Sequence, residues 1–395
     1  MKYDFESLID RNNTGSFKWN AMRKISPNAG GDIVPLSVAD MEFYNPPELI
    51  EGLCDYLKSS VLGYTGPTDA YFDAVIAWME RRHHFLPRRE WILQSPGVVP
   101  ALHDIVNALT EPGDGVIVFT PVYYPFFSAV EQNGRTLLRS PLIRNGLRYE
   151  MDFDDFERKA CAPGAKMCII CSPHNPVGRI WTRDELERLS GLCLDNGLIL
   201  VSDEIHNDLI LPGNRHVSAG TLSPEYLGNL VLCTAPSKTF NLAGMQTSNI
   251  IVPSAPLREK LNAAGGYFSL NALGYKACEL AYNRCEPWLE ELLEVLDSNR
   301  QLVESYMQSN HPEITVYPLQ GTYLQWWDMR KLGLPYREME KFLIEKAQLF
   351  TDEGSLFGEE GNGFVRVNLA CPASVLNSAL HRLTAAILEL RNQQA

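Results

Sequence analysis

At 395 residues, 45% of them hydrophobic and 21% charged, the chain has ordinary globular usage and a length that fits two or three domains, or one large domain with an appendage. Asp and Glu number 48 against 35 Lys and Arg, a formal charge of -13, and no basic run is longer than pairs such as Arg81-Arg82 and Arg88-Arg89. Nucleic acid and anionic membranes are therefore poor partners for this chain.

The N-terminus, "MKYDFESLIDRNN", is charged and lacks a continuous apolar stretch, so it does not read as a secretory signal, and no apolar run approaches a membrane span. A cytoplasmic enzyme is expected. Next, "SPGVVPALHDIVNAL" predicts a helix: Pro100 is tolerated only in a first turn, and Ala101, Leu102, Ile105, Val106 and Leu109 follow at helical spacing. Gly97 before it permits close approach, and the free N–H groups of Val98 and Val99 would point at an anion.

From about Trp91 to Asn249 the short apolar runs "GVIVF", "MCIIC", "LILVS" and "LVLCT" alternate with helical periodicity. Their Val, Ile and Leu content suits strands buried on both faces of a mainly parallel sheet. Between two of them, Thr182 can cap a helix with Glu185 three residues on, Leu186, Leu189 and Leu192 form an apolar face, and Asn196-Gly197 ends it. The middle of the chain is expected to be a doubly wound α/β domain.

After Cys285 to Pro287 a long charged helix, "EPWLEELLEVLDSNRQLVESYM", leads away. It is followed by two strands around Leu319-Gln320-Gly321, a helix near "REMEKFLIEKAQL", the alternating strand "FVRVNLA" and an amphipathic helix from about Ala373, together a smaller α+β domain. Of the nine cysteines, Cys168 and Cys171 form one C-x-x-C inside a strand-like run, which favours buried thiols over a metal or redox pair. The pair His83-His84 in "RRHHFLP" reads as a solvated helix end.

In open α/β sheets ligands bind beyond the carboxyl ends of the strands, so the residues after each apolar run matter most. The four runs deliver Tyr123, Asn175, Asp203 with His206, and Lys238. An aromatic, an amide, a carboxylate and an amine together suit a pyridine aldehyde cofactor: the amine bonds the aldehyde and the carboxylate keeps the ring nitrogen protonated. Asn175, helped by His206, would donate to the ring's phenolic oxygen, and Tyr123 would stack on the ring, with Tyr124 and Phe126 as rival rings. Burial and a cationic ring nearby would lower the pKa of Lys238. Ser237, beside it, can add a hydroxyl to the phosphate site at Val98 and Val99.

With these residues in place, the chain resembles the pyridoxal-phosphate enzymes of aminotransferase fold type I. The resemblance runs from "PLSVADMEFYNPP" through "GYTGP", "SPGVVPAL", "TPVYYPF", "CSPHNPVGRIWT", "VSDEIHNDL" and "APSKTFNLAG" to "FVRVNLACP". "VADMEF", "SDEIH" and "SKTFNLAG" look like the cystathionine beta-lyase, or carbon-sulfur lyase, branch of the MalY and PatB type.

The resemblance implies pyridoxal 5'-phosphate bonded to Lys238, with Asp203 on its ring nitrogen, Asn175 and His206 by its phenolic oxygen and Tyr123 on its face. Val98, Val99 and Ser237 would hold the phosphate, with Tyr64 reaching in from the second subunit of a homodimer. Arg366 would bind the substrate's α-carboxylate, a role its planar fork suits, beside Asn175. It further implies a large cofactor-binding domain over 46–285, a small C-terminal domain over 286–395 and an N-terminal segment, 1–45, packed on the small domain.

Two positions depart from the wider aminotransferase pattern: His206 stands where many members carry tyrosine, and Gln246 where many carry a phosphate-pairing arginine. Both fit the lyase branch, whose reaction is β-elimination from a small sulfur-containing amino acid such as L-cystathionine. Amino transfer with the same apparatus, and a cofactor-binding regulatory role without turnover, are the alternatives. Segments such as "GGYFSLNALGY" and "GTYLQWW" are expected to shape side-chain selection.

Overall fold

The computed structural model describes residues 1–264 and 270–394. Its strands, in chain order, are β1 (Ile92–Ser95), β2 (Gly115–Thr120), β3 (Thr136–Pro141), β4 (Ile143–Asn145), β5 (Arg148–Glu150), β6 (Ala165–Cys171), β7 (Ile199–Asp203), β8 (Leu230–Thr234), β9 (Ser248–Ile251), β10 (Thr315–Val316), β11 (Leu324–Asp328), β12 (Asp352–Glu353) and β13 (Phe364–Asn368). A seven-stranded sheet has the order β1-β9-β8-β7-β6-β2-β3. Only β9 runs against the others, so this is the mainly parallel, doubly wound α/β sheet of aminotransferase fold type I.

The four apolar runs fall on β2, β6, β7 and β8, and alternate residues of each feed two separate cores. Val116, Val118, Ile169, Val201 and Val231 pack with Leu102, Ile105 and Phe126 on one face. Ile117, Phe119, Ile170, Leu200 and Leu232 join Trp78, Leu186 and Tyr282 on the other. Burial on both faces is why these strands read as continuous apolar runs. Cys171 pairs with Asp203, and Asp203 with Cys233, so the carboxyl ends of β6, β7 and β8 finish level.

The connecting helices start where the sequence marks them. The helix Arg183–Asp195 opens with a complete capping box, the Thr182 hydroxyl taking the Glu185 N–H while Glu185 reaches back to the Thr182 N–H. Val98–Leu109 carries Pro100 in its first turn.

Beyond the helix Ala272–Arg284, the long helix Glu286–Asn310 and the last helix Ala373–Gln394 are tied together by Tyr306 Oη and Thr384 Oγ1 at 2.8 Å. They accompany a four-stranded antiparallel sheet of order β10-β11-β13-β12. The alternation expected of "FVRVNLA" is absent as a burial pattern, since all five residues of β13 are buried. The face expected to be polar is occupied: Arg366 pairs with Asp352 and Asn175, and Asn368 Nδ2 donates to the carbonyls of Val38 and Asp40.

The N-terminal segment runs beside this sheet. Leu36 N donates to Phe350 O at 2.8 Å, Asn368 N to Leu36 O at 2.9 Å and Glu42 N to Ala370 O at 2.8 Å. Buried Lys18 pairs with Asp40 and Glu42 at 2.9 and 2.7 Å, while Arg11 pairs with the same two carboxylates. Each charge has a partner, which is the condition for keeping it out of water. The cluster fixes the stretch around Ala39 that faces the lysine turn described below.

The histidine pair departs from expectation. His83 is buried, with Nε2 2.8 Å from Asp208 Oδ1, because Asp208 faces the end of the helix Asp69–His83 from the turn after β7; His84 forms the left-handed cap that follows. Cys168 and Cys171 are buried free thiols, as expected. Among the described residues no group of three or more His, Cys, Asp or Glu is placed to hold a metal.

Candidate active site

Because β2, β6, β7 and β8 point the same way, their ends place Tyr123, Asn175, Asp203 and Lys238 along one edge of the sheet, around a cavity of about 170 Å³. Its lining also includes Val98, Val99, His206 and Ser237. Arg366 lies behind Asn175, donating from Nη1 to Asn175 Oδ1 at 2.8 Å. Tyr64 is not brought to the cavity of its own chain and is fully exposed, in a loop that also exposes Val61 and Leu62.

Lys238 sits in the single helical turn Pro236–Thr239 that follows β8. Its Nζ donates to the carbonyl of Ala39 at 2.7 Å, a partner without sequence signature. Burial pushes the ammonium down to about 8, against the pull of Asp40 and Asp203 and with the help of Arg366 and Lys18. Asn241 steadies the same loop, accepting the Met41 N–H at 2.9 Å and donating to the Met41 carbonyl at 3.1 Å.

Asp203, the last residue of β7, is buried, and its carboxylate receives the Ile205 N–H at 3.1 Å, the one side-chain hydrogen bond it makes among the described residues. Burial raises the carboxyl to about 7, opposed by that N–H and by Lys238. An ionised carboxylate here calls for a cation in the cavity. Its neighbour Glu204 turns away from the cavity, taking the N–H of Ala219 at 2.7 Å and facing His216 Nε2 at 3.1 Å.

His206 is buried with its Nδ1 unpartnered among the described residues, and burial, then the charges of Lys238 and Arg366, hold it well below the ordinary histidine range. It is therefore a neutral ring at physiological pH. Because Arg366 takes the amide oxygen of Asn175, the Nδ2 end is the one left to donate into the cavity. Arg366 is buried: Asp352 Oδ2 accepts from its Nε at 3.2 Å and Nη2 at 2.6 Å, and Phe357 lies 4.7 Å from the guanidinium. One N–H of each Nη nitrogen has no hydrogen bond among the described residues.

The other end of the cavity is made of backbone donors. The first N–H groups of the helix Val98–Leu109 have no intrahelical partner, and Val98 and Val99 line the cavity together with Ser237, at the start of the lysine turn. Gly97 lies tight against Pro100, where an added Cβ would come 3.3 Å from Pro100 Cδ. Gln246, Thr247 and Ser248 complete this end. An anion seat, a buried carboxylate with no ion-pair partner among the described residues, an amide donor, an aromatic wall and a depressed amine fit a phosphate-bearing pyridine aldehyde.

The family model for aminotransferase class I and II matches residues 31–383. The chain belongs to this family. Within the aminotransferase class I and II family it is 39% identical to cystathionine beta-lyase PatB of Bacillus subtilis (strain 168), over 97% of this chain and 100% of that protein. Protein MalY of Escherichia coli (strain K12) is 31% identical, over 98% of this chain and 100% of its own length. Among solved structures, cystalysin from Treponema denticola, which contains pyridoxal 5'-phosphate, superposes with a TM-score of 0.97 at 46% identity, covering 99% of this chain and 100% of that one.

Proposed function

We propose that the protein is a pyridoxal-phosphate-dependent carbon-sulfur lyase that cleaves L-cystathionine or a related cysteine S-conjugate to a thiol, pyruvate and ammonia. The observation that carries this reading is the convergence of Lys238, Asp203 and Asn175 on one cavity, in a chain 39% identical to a cystathionine beta-lyase. When bound, the cofactor supplies an electron sink conjugated to the substrate's Cα.

In this reading Lys238 Nζ would hold the cofactor by its aldehyde and, freed by the substrate's amine, would take the proton from Cα as general base. With the ammonium lowered to about 8, a useful fraction of the amine is unprotonated near neutral pH. Asp203 holds the proton on the ring nitrogen, Asn175 Nδ2 donates to the phenolic oxygen beside the neutral ring of His206, and Tyr123 covers the ring face. Val98 and Val99 N–H and the Ser237 hydroxyl hold the phosphate. Arg366 receives the α-carboxylate on its free Nη edge. Loss of the Cα proton and of the Cβ–S bond releases the thiol, and water carries the remaining enamine to pyruvate and ammonia.

The same reading divides the chain at 1–45, 46–285 and 286–395, with the hydrogen bonds of Leu36, Glu42 and Asn368 in support. It also makes the protein a homodimer, in which exposed Tyr64 with Val61 and Leu62 meets the second copy and reaches its phosphate. A cytoplasmic site is supported by nine free cysteines, seven of them buried thiols. Among the described residues no helix is long and apolar enough to cross a membrane.

The test is incubation of the cofactor-loaded protein with L-cystathionine in the absence of any keto acid. Pyruvate and free thiol should appear in equal amounts. If no thiol forms while amino transfer to an added keto acid proceeds, the lyase reading fails and the aminotransferase one replaces it.

A further inference from the structure

The carboxylate of Asp208 stands outside the cavity, behind the lysine turn, and is buried. Its Oδ2 accepts the hydroxyl of Thr239, the residue after Lys238, at 2.7 Å. His83 Nε2 lies 2.8 Å from Oδ1, and Trp78 Nε1 lies 3.1 and 3.2 Å from the two oxygens. Three side chains from two elements thus converge on one charge, which meets the condition for burying it.

Two of those donors are themselves fixed. Trp78 stacks on Tyr282 at 4.8 Å and touches Phe240, and His83 packs edge-on to His216. Asp208 also belongs to the turn that carries His206, held by Asn207 N to Glu204 O and Leu209 N to His206 O, both 3.0 Å. One carboxylate therefore pins the turn after β7, with Asp203 at its start, to the turn after β8, with Lys238. The lysine turn is only four residues long and has no side-chain cap of its own. A single turn of helix is not self-supporting, so its orientation depends on such anchors.

We infer that Asp208 is a positioning residue for Lys238, acting through the hydroxyl of Thr239. The inference rests on the assignment of Lys238 as the cofactor's anchor, and it extends that assignment to two residues that touch neither cofactor nor substrate. Losing the Thr239 hydroxyl frees the lysine turn to rotate relative to Asp203 while the remaining donors keep the Asp208 charge satisfied.

Thr239→Val is nearly isosteric and removes that one hydrogen bond. In the cofactor-loaded protein, kcat should fall about tenfold or more with KM within about twofold, as a small misplacement of a reacting group does. The visible circular dichroism of the bound cofactor should weaken with it, and Thr239→Ser should restore both. Wild-type kcat and an unchanged cofactor band in Thr239→Val overturn the inference, as does an equal loss in Thr239→Ser. Should the valine variant not fold, Asp208→Asn decides by the same band: a weakened band supports the inference and an unchanged one overturns it. The band is read without substrate, so it decides this point even where the wild type cleaves no cystathionine.

Discussion

Replacing Asp203 by asparagine should make the cofactor-free protein more stable while destroying its activity. A buried carboxyl raised from 3.8 to about 7 binds a proton more tightly in the folded than in the unfolded chain. Its contribution is therefore fully present below pH 3.8, falls as pH rises and is lost once pH passes about 7. At 1.36 kcal/mol per pH unit, the rise corresponds to on the order of 4 kcal/mol of stability missing at pH 8. Asparagine keeps the shape and can accept the Ile205 N–H without carrying the charge. Urea unfolding of the cofactor-free wild type and Asp203→Asn should diverge between pH 4 and 8, the variant gaining up to about 4 kcal/mol at the upper end. In the loaded protein the order reverses in function: without the carboxylate to hold the ring proton, kcat should drop by at least about 10²-fold. A stability difference that does not grow with pH, or a variant less stable at pH 8, would refute the reasoning.

Lys238→Ala should abolish the borohydride-fixed cofactor adduct seen by mass spectrometry and lower kcat by at least about 10²-fold, the usual contribution of a general base. Arg366→Lys replaces a planar fork by a point charge; kcat/KM for cystathionine should fall about 10- to 100-fold, mostly through KM in steady-state assays. Gly178→Ala meets both a φ of +70° and Leu319 Cδ1 at 2.5 Å from the new Cβ. It should cost about 1–3 kcal/mol in denaturant unfolding.

The sheet was legible because its signals are local. A strand buried on both faces must be apolar throughout, and the Thr182–Glu185 box marks its helix within four residues. The cavity followed from the same logic, since parallel strands deliver their terminal residues to one edge. What stayed hidden depends on distant or reciprocal contacts. The carbonyl of Ala39 meets Lys238 across 199 positions, and no side-chain type marks it. Asp352 lies on the two-residue strand β12, too short to show a periodicity, yet it pairs with Arg366 through Nε and Nη2. "RRHH" looks like a solvated helix end until Asp208, 125 positions later, is seen to draw His83 inward. Tyr64 is exposed and away from the cavity of its own chain. Of "GGYFSLNALGY", residues 265–269 lie outside the described residues, whereas "GTYLQWW" leads into β11 of the small sheet.

The stitching of the first forty residues has a consequence for how the protein is made. Leu36 and Glu42 bond to Phe350 and Ala370, and Asn368 holds the carbonyls of Val38 and Asp40 across 330 and 328 positions. The segment that presents Ala39 to Lys238 thus gains part of its backing from residues made more than 300 positions after it. The seven-stranded sheet, complete by Ile251, can assemble during synthesis, whereas the small sheet that backs the segment around Ala39 is made later. A chain truncated before β13 would carry the lysine turn but lack the Asn368 amide that holds the carbonyls on either side of Ala39.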